Sequence, residues 1–398
     1  MADKTYPTRN LAAYDAYLRW RAEQEKSGAI QVQEQARKYF LEAVALDPQF
    51  ALAWAQLSLT CTRVIGGRAD FSAENITQAR AAATAAARFG SELPETLLAT
   101  SRVKSLLDYD LEGAGRDLDR ANQIRPNDAR TTALRAILAF AQGDWDQTIA
   151  LGKKAIELNP RDGDLLSVAG LRLYQHGSYA ESRELIERIF AIYPDSPSNA
   201  YRHRGIIEWR ATGNAEAALA QHERTPVGVR DSLFFRDPAN LRLQKRDLRG
   251  AIADFAQARD LARKEAPSYI SRLTLVQALL GLGETAGGLG DRAQAAAYMA
   301  EALPLADALT EDFPTSVAAV IALARIQAAR DERAAALATC DRALALALRT
   351  RTTLDILFAR ETAVALWTAL GRKDEAIAML RTLHDSGFAY GYGLRDPQ

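Results

Sequence analysis

The densest run of groups able to grip a charged partner lies between Asn199 and Arg210 (NAYRHRGIIEWR), where Arg202, Arg204 and Arg210 alternate with Tyr201, His203 and Trp209. Guanidinium forks hold carboxylates through paired hydrogen bonds, and tyrosine offers rigid contact area at low entropy cost. The chemistry implied is capture of an acidic partner, with no bond made or broken. The competing reading is a solvated arginine-rich helical face, with Tyr201 or Trp209 in ordinary packing.

Residue types that carry catalysis are sparse. Gly281 to Ala286 (GLGETA) fits G-x-G-x-x-A, but that fingerprint needs a strand-to-helix turn, and the preceding Tyr269 to Leu280 has helical periodicity. No cofactor is expected there. His176, His203, His222 and His384 fall at turns or on polar helical faces, and none stands in an H-E-x-x-H zinc motif, so no metal is expected. The sequence contains no G-x-S-x-G elbow, P-loop or kinase catalytic loop. Asp108 and Asp110 read as solvated turn carboxylates. Cys61 and Cys340 sit in apolar helical stretches and read as buried small hydrophobes in a reducing compartment. A catalytic role is therefore not expected.

Lys plus Arg equals Asp plus Glu, 50 against 50, so no global basic field exists to hold nucleic acid or an anionic membrane. The start, Met1 to Asn10, lacks the apolar core of a signal peptide, and no run approaches the roughly 20 apolar residues of a membrane span. A cytoplasmic location is expected.

The elements that must position the arginines repeat. Pro126, Pro160 and Pro194 stand 34 residues apart, each closing a similar segment (NQIRPND, ELNPRD, FAIYPDS). A fixed period of that length marks a helical hairpin copied and stacked. The turn inside the hairpin recurs too, Gly143-Asp144-Trp145 preceding Gly177-Ser178-Tyr179 by one period. The chain is expected to be all-α, an α-solenoid of about nine antiparallel helix pairs. Thr225 to Arg230 (TPVGVR) is the expected internal break and hinge, giving an N-terminal arm at 1–10, sub-arrays at 11–226 and 227–386, and a tail at 387–398.

Carrying the proline phase forward places Tyr201, Gly205 and Glu208 on the first-helix face that lines an inner groove, with Arg202 alongside. Earlier repeats contribute Arg130, Ile137 and Phe140, then Leu171, Tyr174 and Gln175. Together they would form a groove with aromatic walls and guanidinium donors, suited to an extended or helical peptide bearing acidic groups.

Ala36, Phe40, Ala43 and Pro48 resemble the tetratricopeptide (TPR) pattern A-x3-F-x2-A-x4-P, and Trp54, Leu57, Ser58 and Cys61 resemble W-x2-L-G-x2-Y with two small-for-small replacements. The resemblance implies a right-handed superhelix that binds protein. Thr8 to Arg19 followed by Ala43 to Leu57 is similar to the C-terminal TPR regions of bacterial signalling proteins, which follow a winged-helix, nucleotide cyclase or serine/threonine kinase domain. Gly387 to Gln398 is similar to the tail of those arrays. No effector domain is present, so the chain reads as an excised region or a free-standing adaptor, with the finish at Asp396-Pro397-Gln398 favouring excision. The expected function is a protein- or peptide-binding scaffold, the docking or sensing part of a bacterial regulatory system. The alternative is a ligand sensor whose superhelix changes shape. Single-stranded RNA reading would need a repeated pair of base-selecting side chains, whereas the equivalent positions Arg130, Asp164 and Ser198 vary.

Overall fold

The computed structural model describes residues 7–24, 30–66, 72–193, 198–350 and 353–385. The tail at 387–398, Pro194 and the His384 side chain lie outside the described residues. Everything regular among those described is helical. The helices pair in chain order as α1 (Leu11–Gln24) with α2 (Ile30–Leu46), α3 (Ala51–Gly66) with α4 (Ala73–Gly90), α5 (Pro94–Val103) with α6 (Leu111–Ile124), α7 (Ala129–Gln142) with α8 (Trp145–Leu158), and α9 (Gly163–His176) with α10 (Tyr179–Ile192). They continue as α11 (Ser198–Thr212) with α12 (Ala215–Glu223), α13 (Ser232–Gln244) with α14 (Leu248–Lys264), α15 (Tyr269–Gly288) with α16 (Arg292–Asp312), α17 (Val317–Ala329) with α18 (Arg333–Thr350), and α19 (Thr353–Ala369) with α20 (Lys373–Asp385). The fold is an all-α solenoid of antiparallel pairs.

These residues form hairpins for reasons visible at their turns. Gly143 and Gly290 adopt left-handed φ of 82° and 85°, which ends the first helix, and the next residue caps the second. The Asp144 carboxylate accepts from the Gln147 amide at 2.9 Å, and Asp291 accepts from Gln294 at 3.0 Å. Each such cap stabilises its helix by about 1 kcal/mol. Asp110 does the same for Gly113 at 2.7 Å, while Asp108 pairs with Arg80. Both acids expected to be merely solvated have structural partners.

The chain divides into two compact units, Met1–Ala169 with Glu187–Pro197, and Gly170–Ile186 with Ser198–Gln398. The segment Thr225 to Arg230 falls inside the second unit. There Arg230 donates to the carbonyls of Thr225 at 2.7 Å and Glu223 at 3.0 Å.

In the first unit the small residues at helix contacts are fully buried, Ala36, Ala43, Ala79 and Ala82 among them, which lets Phe40 fill the space between helices. The aromatic face of α1 finds its cover within its own hairpin and the next: Trp20 lies 5.0 Å from Phe40 and Tyr17 5.4 Å from Phe50, centroid to centroid. Cys61 and Cys340 are both buried thiols, and burial pushes the Cys340 thiol up to about 11, away from reactivity at neutral pH.

The described residues form ten helix pairs, against about nine expected. In the second unit α13 carries Pro238 in its interior, where proline removes a backbone donor. The glycines of GLGETA lie inside α15, where a Cβ at Gly281 would approach the Phe255 ring to 2.5 Å and one at Gly283 would meet the Met299 methyl at 2.5 Å. They are there because a neighbouring helix packs against them. Gly281→Ala is expected to cost about 1–3 kcal/mol by overpacking, read as a lowered unfolding midpoint; an unchanged midpoint would show that Phe255 moves aside freely.

Candidate partner-binding surface

In the first unit, Arg130 stands at the first turn of α7 with its guanidinium 5.9 Å from the centre of the Trp20 ring. Ile137 is half-buried. Phe140 is buried, its ring edge-on to Trp145 at 5.2 Å. Phe140 thus anchors the α7–α8 turn instead of walling a groove, because the aromatic after Gly143-Asp144 packs back onto it.

In the second unit, Leu171 and Tyr174 line a small open hollow, with room for little more than one water, together with Ile186, His203, Ile206 and Ile207. The Tyr174 hydroxyl accepts from Arg210 Nε at 3.1 Å, and the same guanidinium lies 5.8 Å from its ring centre. Burial raises the Tyr174 pKa, against the pull of Arg210, so the phenol stays protonated. Gln175 is largely buried and accepts from Arg172 at 2.6 Å. Glu208 is half-buried and accepts from Arg183 at 2.8 Å.

Tyr201 and Arg202 point inward. Tyr201 is buried, with Arg204 5.8 Å from its ring centre. Arg202 is only 7% exposed, and its Nε donates to Asp237 at 2.8 Å. Asp237, 3% exposed, also receives Arg236 at 3.1 Å. Burial pushes the Asp237 carboxyl up, yet Arg202 and Arg236 outweigh it and hold the group down at about 2. Trp209 packs on Ala218, Leu219 and Leu241.

Two of the histidines expected on polar faces or turns prove to be desolvated. His222 on α12 is 2% exposed, neither ring nitrogen has a hydrogen-bond partner, and the ring lies edge-on to Phe234 at 5.5 Å. A Cβ at Gly205 would come within 2.3 Å of its Nε2, so Gly205 sits against this ring. Burial holds both His222 and His203 down at about 4, hence neutral at pH 7.

Among the described residues the first helices of this unit are joined in series. Tyr174 of α9 meets Arg210 of α11, Arg202 of α11 meets Asp237 of α13, and Arg236 of α13 donates to Gln277 of α15 at 3.1 Å. Glu284 of α15 then takes Arg325 of α17 through both carboxylate oxygens at 2.8 and 2.9 Å. Sequence reasoning found Tyr174 and Arg202 but not their partners. The separations of 35, 36 and 41 residues, roughly one hairpin, were the available signal. Arg325 remains 44% exposed and Arg236 28% exposed at the side chain, so both present donors to solvent while tied to a neighbour.

No protein-family model matches the sequence, and no curated protein matches it. Among solved structures the chain is similar to a tetratricopeptide repeat protein from Parabacteroides merdae, at 14% identity over 68% of this chain and 99% of that one, with a TM-score of 0.41. It is also similar to the Cut9–Hcn1 hetero-tetramer of APC/C (14% identity, 90% of this chain and 78% of that one, TM-score 0.43) and to PilF of Pseudomonas aeruginosa (18%, 57% and 96%, TM-score 0.37).

Proposed function

We propose that the chain is a non-catalytic scaffold that holds a protein or peptide bearing acidic groups, acting as the docking or sensing part of a bacterial regulatory system. The observation that carries this reading is the set of guanidiniums on three first helices of the second unit, Arg210 on α11, Arg236 on α13 and Arg325 on α17, each held in place by a neighbouring helix. Donors already ordered lose little conformational entropy when a carboxylate arrives. Fluorescence anisotropy with a labelled glutamate-rich peptide tests it. Arg236→Glu combined with Arg325→Glu is expected to weaken binding at least about tenfold, and rising salt to weaken it in the parent. Equal affinity in parent and variant, or affinity indifferent to salt, would overturn the reading.

The same bridges favour a second reading, a sensor that changes shape. An acidic ligand that takes Arg325 from Glu284 would release α15 from α17, and each released bridge frees one hairpin to rotate on the next. Spin labels on exposed positions of α15 and α17 would report this as a ligand-dependent distance; a distance unmoved at saturation would exclude it.

A further inference from the structure

We propose that Arg63 and Arg102 form an oxyanion-binding site in the first unit, taking a carboxylate or a phosphate group between two guanidiniums. Arg63 stands on the last turn of α3 and Arg102 on the last turn of α5. Arg102 is half-buried and packs so tightly on the end of α3 that a Cβ at Gly66 would lie 2.8 Å from its Nη2.

Only one of the two cations has an acid as partner among the described residues. Asp164 of α9 pairs with Arg63, whereas Arg102 makes no ion pair or side-chain hydrogen bond among the described residues. Among the described residues, two carboxylates near α5 are committed elsewhere. Asp117 takes Lys104 at 2.7 Å and the Thr100 hydroxyl at 2.7 Å, and Asp108 takes Arg80. Burial, and after it the charge of Arg63, pushes the Arg102 pKa down to about 10, which still leaves the group charged at pH 7. A desolvated, unpaired cation beside a like charge is unfavourable by itself. The negative end of the α3 dipole at Gly66 offsets part of that cost, and an incoming oxyanion would offset the rest. Two guanidiniums also present the planar forks that match an oxyanion's paired oxygens.

The test uses the full chain, with inorganic phosphate in one arm and succinate in the other, each against chloride at equal ionic strength. Thermal unfolding is expected to shift upward by about 2 °C in at least one arm at saturation. A shift with phosphate alone, or with succinate alone, supports the site and names its preference; no shift in either arm overturns it. Arg102→Met removes the unpaired charge and keeps the volume, so its midpoint in chloride is expected to rise while the anion shift disappears. A lowered midpoint with the shift intact would mean that Arg102 is only a packing residue, and the proposal fails. Should Arg102→Met not fold, Arg63→Gln, at a more exposed position, is expected to weaken the anion response at least about threefold. Arg333→Gln, far more exposed, serves as the control that leaves the response unchanged; a loss there equal to that in Arg63→Gln would also overturn the site.

Discussion

Asp237→Ala is expected to destabilise the second unit by about 3–5 kcal/mol, the size found when one partner of a buried ion pair is removed and its counter-charge stays behind. Arg202 is 7% exposed and has Asp237 as the acceptor for its Nε, so truncating the acid removes a buried counter-charge from a guanidinium in a site that water hardly reaches. Arg236 loses the same acceptor but is less buried and keeps Gln277. The loss should appear in hydrogen exchange as faster opening of α11 and α13, with the first unit unaffected. Adding Arg202→Met to Asp237→Ala should recover most of the stability, because a well-packed apolar pair often replaces a buried ion pair at little cost. An effect of Asp237→Ala below about 1 kcal/mol would mean that solvent reaches this pair far more readily than its burial indicates. Loss of partner capture after substituting Arg202 therefore has to be read beside stability.

The second unit is also expected to lose stability as pH falls from about 6.5 to about 4, by about 3 kcal/mol through His222 alone. In the unfolded chain this imidazole takes up its proton near the ordinary value of 6.5; in the folded protein it stays neutral until about 4. Between those values the unfolded state binds more protons, so its population grows as acid is added. The environment explains the direction. Burial dominates, Arg202 and Arg230 oppose a third cation, and only Asp237 favours it. Phe234 and the backbone at Gly205 supply no acceptor to either ring nitrogen, which is where an imidazolium would need two. His203 contributes in the same window and with the same sign, and Asp237, held at about 2, extends the loss below about 3.8. His222→Leu should flatten the pH dependence by about one proton across that window, measured by urea unfolding at a series of pH values. An identical slope in parent and variant would place the acid-sensitive group elsewhere.

Much of the architecture was legible because hairpin repeats are specified locally. The proline phase located α5 to α10, and the glycine–aspartate turns located their junctions, since a left-handed φ and an N-cap are properties of two or three adjacent residues. Pro238 lies inside α13, a helix that persists despite proline's missing donor. The glycines at 281 and 283 imitated a nucleotide loop, and only the packing of Phe255 and Met299 from α14 and α16 shows why they are glycines.

The candidate surface was legible in composition and much less so in geometry. Periodicity put Tyr174, Tyr201, Arg202 and Glu208 on first helices, yet a helix face in a solenoid meets either solvent or the next hairpin, and the choice depends on side chains about one repeat away. Arg202 turned inward because Asp237 waits on α13, while Tyr174 remained at a small hollow with Arg210 over its ring. Residue types and spacing by themselves determined that this chain is a stack of helical pairs and where most of the pairs begin and end, because caps, turns and small-residue contacts act within one period. Tertiary structure alone decided which arginines are structural, which histidines are desolvated and which guanidinium has no counter-ion among the described residues, because burial and charge pairing are set by neighbours that the chain brings together only when it folds.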